Sequence, residues 1–151
     1  MYQVLFTEFQ DKAKMMIEFF MAMQPPSITH QEKKVTVVNK KPRFYEPPEL
    51  ADARNKLSAH LAPHAPDIPI SGPVQLITKW LFPITGKHGN GQYKTTKPDA
   101  DNMMKLFLDC CTALGFWKDD ALIASLVVEK FWSDRPGIYV CVKSLPEVPR
   151  A

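Results

Sequence analysis

At 151 residues, 45% of them hydrophobic, the chain is long enough for one domain with a real core. A net charge of +3 is too mild to imply a polyanionic partner by its sum, so the distribution of charge matters more. No run of about 20 apolar residues occurs, which excludes a membrane-spanning helix and favours a soluble cytoplasmic protein. Cys110, Cys111 and Cys141 form no Cys-x-x-Cys and read as reduced core residues, while the His60/His64 pair is split by Pro63 and lacks further zinc ligands.

Residues 1–14 lack a clean period and read as an N-terminal extension. Residues 17–23, apolar and aromatic, predict a first strand that Pro25-Pro26-Ser27 ends. Val35 to Val38 is a short β-branched run, with Phe44-Tyr45 a second piece of the same hairpin. Pro47-Pro48 then opens a helix where proline is tolerated, and Leu50, Ala53, Leu57 and Leu61 recur at helical spacing before Pro63 stops it. The proline-rich segment 62–73 is a connection, and residues 74–82 predict a central strand with Val74, Leu76 and Thr78 on one face.

Residues 83–98, rich in glycine and basic residues, have the composition of a mobile loop. A second helix runs from Asp99 or Asp101 to Leu114, with Met104, Phe107 or Leu108, Cys111 and Leu114 as its apolar stripe and Gly115 as its C-terminal stop. Residues 122–131 and 138–142 predict a closing hairpin around Ser133-Asp134-Arg135-Pro136-Gly137. The expected fold is α/β in the α+β sense: a small mixed sheet with two main helices, in the order β-β-α-β-α-β-β. The domain spans 15–143, followed by a tail at 144–151.

Acids flank the second helix on both sides. Asp99, Asp101 and Asn102 begin it; Asp119 and Asp120 follow it. Each alone has an ordinary explanation: an N-cap at the helix start, an acidic turn at its end. A second aspartate beside the first adds like-charge repulsion unless a cation offsets it, and Mg²⁺, with hard oxygen ligands, is the simplest offset. Lys105, four residues after Asp101, matches a surface ion pair, but beside a metal-held phosphate an ammonium can stabilise transition-state charge. Asp109, one turn on, is read as the partner that orients Lys105. An EF-hand fails, because Met104 stands at the glycine position and Cys110 at the glutamate position. Two basic segments look like arms for phosphate: Lys33, Lys34, Lys40, Lys41 and Arg43 in the first, Lys87, Lys94 and Lys97 in the second.

Lys97-Pro98-Asp99-Ala100-Asp101-Asn102, Lys105, Asp109 and then Gly115-Phe116-Trp117-Lys118-Asp119-Asp120-Ala121 resemble the signature of the RusA family of Holliday-junction resolvases. Looser similarity runs from about residue 17 to 142 and takes in Pro25-Pro26-Ser27 and Lys130. The resemblance implies a homodimeric, Mg²⁺-dependent endonuclease of phage or prophage type, with Mn²⁺ as an alternative metal, that resolves four-way DNA junctions by symmetric nicks. It implies Asp99, Asp101 and Asp120 as metal-binding catalytic acids and Lys105 as the catalytic lysine, with Asn102, Asp119 and Asp109 in support. Proline and lysine, in place of a run of arginines, precede the first aspartate, and the basic loop between strands is longer, so the resemblance does not carry over junction contacts or a cleavage-sequence preference. Two other functions are compatible with the same residues: a nuclease for flaps or other branched DNA, and a non-catalytic junction- or single-strand-binding protein that stacks bases on Phe44, Tyr45 or Tyr93.

Overall fold

The computed structural model describes residues 15–28 and 34–150. Strand β1 is Met16–Met21, β2 Lys34–Val38 and β3 Lys41–Tyr45; helix α1 is Pro48–Leu61; β4 is Val74–Pro83; α2 is Ala100–Leu114; β5 is Ile123–Ser133 and β6 Gly137–Ser144. The 1–14 extension lies outside the described residues.

The main sheet has four strands in the order β1-β6-β4-β5, and β2 and β3 form a separate two-stranded ribbon. The ribbon turns through Asn39 and Lys40, both with positive φ (52° and 62°), the backbone of a tight hairpin whose twist matches its strands. The α+β architecture and the central place of β4 agree with the sequence. The closing hairpin does not. β5 pairs with β4 in parallel, β6 pairs with β4 and β1 antiparallel, and β4 therefore separates the two strands joined by the 134–136 turn. The reason is α2: a strand entered through a helical crossover lands parallel to the strand before the helix, on its free edge. The turn at Ser133-Asp134-Arg135-Pro136-Gly137 then carries the chain across to the other edge of β4.

One face of the sheet holds the core. Val74, Leu76, Thr78, Trp80 and Phe82 of β4 alternate inward with Ile138, Val140 and Val142 of β6 and Phe19 and Met21 of β1. Against them α1 sets Leu50, Ala53, Leu57 and Leu61, and α2 sets Met103, Met104, Leu106, Phe107, Cys110 and Cys111. The buried face of α2 is thus wider than a single stripe, since the helix packs on both the sheet and α1. Trp80 meets Phe107 edge to face at 5.6 Å, and its indole N–H donates to Thr78 Oγ1 at 2.9 Å, so the largest core side chain is also satisfied. Trp117 does the same with Thr112 Oγ1 at 2.8 Å.

Two glycines are required by geometry. Gly115 ends α2 at φ 84° with its N–H returning to the helix carbonyls of Cys111 and Thr112, a left-handed cap that side chains disfavour. Gly137 starts β6 where an added Cβ falls 2.6 Å from the Met21 carbonyl oxygen and collides with Phe20 Cζ.

The 83–98 segment departs from the expectation of a mobile loop. Residues 91–94 lie antiparallel along the C-terminal part of β5: Gly91 N–H donates to Trp132 O (2.8 Å), Trp132 N–H to Gln92 O (2.8 Å), and Lys94 N–H to Lys130 O (2.9 Å). Asn90 Oδ1 accepts from Asp134 N–H at 3.0 Å, and His88 stacks on Trp132 at 4.4 Å. Glycine-rich composition supplied the bends, and the free edge of β5 supplied the partner.

Candidate active site

Asp99 stands at the N-cap of α2 with extended backbone (φ −69°, ψ 142°), and its carbonyl accepts from Met103 N–H at 3.0 Å. Its carboxylate makes no capping hydrogen bond, so the ordinary explanation of an N-cap aspartate does not describe this side chain. Asp101 projects from the first turn, and both acids are exposed. Lys105 is also exposed, and its ammonium donates to Asn102 Oδ1 at 3.4 Å; Asn102 itself is buried. Asn102 therefore has a concrete part, a buried amide whose oxygen accepts from the Lys105 ammonium. Two apolar neighbours, Met103 and Met104, gave no hint that its side chain turns inward.

Past the other end of α2, Asp119 accepts from Ala121 N–H at 2.9 Å and caps the 3₁₀ turn Asp120–Leu122. Asp120 is exposed beside it. A hydrogen bond shared with Asp119 raises the Asp120 pKa above the usual carboxylate value, helped by burial and by the charges of Asp119 and Asp109. Asp109, from the second half of α2, thus belongs to the electrostatic surroundings of Asp120, and it also bears on Arg54, which is held by Glu46 at 2.8 Å.

The acids fall into two groups separated by the helix. Fifteen residues of α2 at a rise of about 1.5 Å put its ends about 22 Å apart. The sheet gives the same distance: Lys130, beside Asp99, lies seven residues along β5 from Ile123, about 23 Å. Among the described residues, no three His, Cys, Asp or Glu side chains are grouped closely enough to hold a metal ion. The donor chemistry nevertheless fits a hard cation: exposed carboxylates, unspent on capping at one end and crowded by like charge at the other. The two acid groups of one chain thus lie at opposite ends of one helix.

Of the basic residues singled out above, Lys40, Lys41, Lys87 and Lys97 are exposed. Lys33 and the side chains of Lys34 and Arg43 lie outside the described residues. Lys94 corrects the expectation of a phosphate arm. It is buried, with its ammonium 4.2 Å from the Trp132 ring centroid, 5.3 Å from that of Phe82, and hydrogen-bonded to Thr96 Oγ1. Burial lowers its pKa, and the nearby Lys130 ammonium adds to the effect.

Residues 23–143 match the family model of the endodeoxyribonuclease RusA, a span that contains β2 to α2, both acid groups and Lys105. The chain belongs to the RusA endodeoxyribonuclease family. Among RusA relatives, it is 30% identical over 128 residues to the crossover junction endodeoxyribonuclease rusA of Lactococcus phage r1t, covering 83% of this chain and 96% of that protein. It is also 32% identical over 93 residues to the uncharacterized protein YqaN of Bacillus subtilis (strain 168), covering 54% of this chain and 65% of YqaN. Among the described residues no helix is long and apolar enough to cross a membrane.

Proposed function

We propose that this RusA-family endonuclease resolves four-way DNA junctions by paired nicks in recombination and repair, as a cytoplasmic homodimer that uses Mg²⁺ or Mn²⁺. The observation that carries the reading is the exposed Asp99–Asp101 pair, whose first carboxylate is not spent on capping its helix. Similarity to the phage crossover junction enzyme over most of both chains supports the substrate class.

A dimer fits both the task and the placement of the acids. A four-way junction has near two-fold symmetry, and paired cuts need two sites related by the same axis. Two copies set antiparallel bring Asp99 and Asp101 of one beside Asp120 of the other, twice over, which closes the gap of about 22 Å that one chain leaves. Strand β5 supports such a pairing: it is an edge strand, its 91–94 partner covers only the C-terminal part, and Leu126 and Val127 on the remainder are 46% and 38% exposed.

Asp99, Asp101 and Asp120 hold the metal in this reading. A bound Mg²⁺ contributes Lewis-acid polarisation and charge neutralisation at the scissile phosphodiester. Lys105, steadied by Asn102, places an ammonium next to the phosphate oxygens, where it offsets the negative charge that grows as the phosphodiester is attacked. Lys40, Lys41, Lys87 and Lys97 contribute counter-charge to the junction arms.

The test uses labelled four-way junction, flap and linear duplex in Mg²⁺ or in EDTA, with wild type and Asp101→Asn. The expected result is Mg²⁺-dependent cleavage with preference for the four-way junction, and a variant that binds without cutting. Preference for the flap transfers the reading to branched replication intermediates. Binding without cleavage of any substrate by wild type overturns the reading.

A further inference from the structure

Lys130 sits late in β5, in register with Trp80, among residues that otherwise face the core. Its ammonium does not point to solvent alone. It donates to two main-chain carbonyls, Thr96 O and Pro98 O, each at 2.8 Å. The second belongs to the peptide that joins Pro98 to Asp99. On the other side of Asp99, its own carbonyl is taken by Met103 N–H. The two peptide planes flanking the Asp99 Cα are therefore both fixed, one by Lys130 and one by the first turn of α2. Since the direction of Cβ follows from those two planes, the Asp99 side chain leaves the backbone along a set Cα–Cβ direction without any capping bond of its own. Thr96 is held twice, through its carbonyl by Lys130 and through its hydroxyl by Lys94, whose ammonium rests on Trp132 and Phe82. Lys94, which the sequence placed among the phosphate arms, and Lys130 thus both have their ammonium groups turned onto the strap that leads into the acidic motif.

We propose that Lys130 is a positioning residue: it anchors the 96–98 strap to β5 and so aims the Asp99 carboxylate at the metal position. This rests on the assignment of Asp99 as a metal-holding acid. A cation suits the role. A charged donor can satisfy two carbonyls at once, and those bonds are stronger than a neutral donor makes. Loss of a group that orients a metal-holding residue commonly costs 10- to 100-fold in metal affinity or activity.

The experiment compares wild type, Lys130→Met, Lys130→Arg and Asp99→Asn as full-length protein. Mn²⁺ binding is measured by calorimetry without DNA, four-way junction binding in EDTA over a salt series, and cleavage as a function of Mg²⁺. Lys130→Met is expected to weaken Mn²⁺ binding about 10-fold or more, with a matching rise in the Mg²⁺ needed for half-maximal cleavage, while junction affinity and its salt slope in EDTA stay those of wild type. Lys130→Arg is expected to recover part of the loss. Unchanged Mn²⁺ binding in Lys130→Met overturns the proposal. So does a salt slope shallower by about one, the mark of a lost phosphate contact. If Lys130→Met does not fold, the shorter, uncharged Lys130→Gln replaces it, with the same expectations and the same refutations. Asp99→Asn keeps the two failures apart: Mn²⁺ binding and cleavage retained there refutes the site assignment, whereas their loss there with an unaffected Lys130→Met refutes only the positioning role.

Discussion

Two carboxylate oxygens on one Mg²⁺ lie at most about 4.2 Å apart, twice the Mg–O distance. Asp101 and Asp120 lie at opposite ends of a 15-residue helix, about 22 Å long, and rotation of two short side chains recovers only a few ångströms of that gap. If both acids serve one metal, they come from different copies. The consequence is a complementation that a site contained in one chain cannot give. In a two-tag purified heterodimer of Asp101→Asn and Asp120→Asn, one shared site carries both substitutions and the other carries neither. The intact site is expected to nick at about half the wild-type number of sites per dimer. Because only one site works, the junction acquires a single nick and is not resolved into two duplexes, and each homodimeric variant is inert. Denaturing and native gels of the same reaction read the two outcomes separately. A heterodimer as inactive as its parents refutes the shared site, since a site built within one chain is broken in both copies.

Three further outcomes follow from the geometry. The Asp120 pKa is raised in the fold, so the native state binds more protons than the unfolded chain; this contribution is present below the unfolded carboxylate value of about 3.9 and is lost as pH rises through the raised one. Asp120→Asn is therefore expected to melt above wild type at pH 7 in EDTA and level with it below about pH 3.9, and to show a smaller rise in Tm on adding Mg²⁺; a variant that melts below wild type at pH 7 contradicts a raised Asp120 pKa in the fold. Lys94→Met is expected to leave the salt slope of junction binding unchanged, whereas Lys87→Ala or Lys97→Ala each lowers it by about one; a loss with Lys94→Met shows that its ammonium reaches phosphate. Gly137→Ala forces a Cβ against the Met21 carbonyl and is expected to destabilise the domain by about 1–3 kcal/mol in chemical denaturation, with an unchanged midpoint refuting the contact.

What the sequence made legible was set by local chemistry. The proline pair at 47–48 and the Leu50/Ala53/Leu57/Leu61 spacing define α1 because both act within one helix. The alternation of β4 showed because the strand buries one face fully, and Gly115 marked the end of α2 because few other residues adopt its φ of 84°. The pairing of β5 and β6 was not legible. A Ser-Asp-Arg-Pro-Gly turn between two apolar runs looks like a hairpin from inside the sequence, and only the edge of β4 left free beside α2 decides otherwise. Lys94 misled for a similar reason, since a lysine in a basic loop gives no sign that Trp132 and Phe82, dozens of residues away or across the sheet, will cover it.

The acidic motif shows the same division at the level of function. Residue types and spacing suffice to propose hard-oxygen chemistry, because carboxylates brought together repel one another unless a cation offsets them. Where they meet is a question of topology. The crossover that makes β5 parallel to β4 also returns Asp119 and Asp120 to the start of the sheet, at the far end of α2 from Asp99 and Asp101. In a β-α-β unit the residues before the helix and the residues after it always lie at opposite ends of the strands, so no loop adjustment within one copy joins them. On the proposed reading, in which the two acid groups serve one metal, the same connection calls for a second copy, and an antiparallel pair would present two equivalent sites to a two-fold symmetric junction.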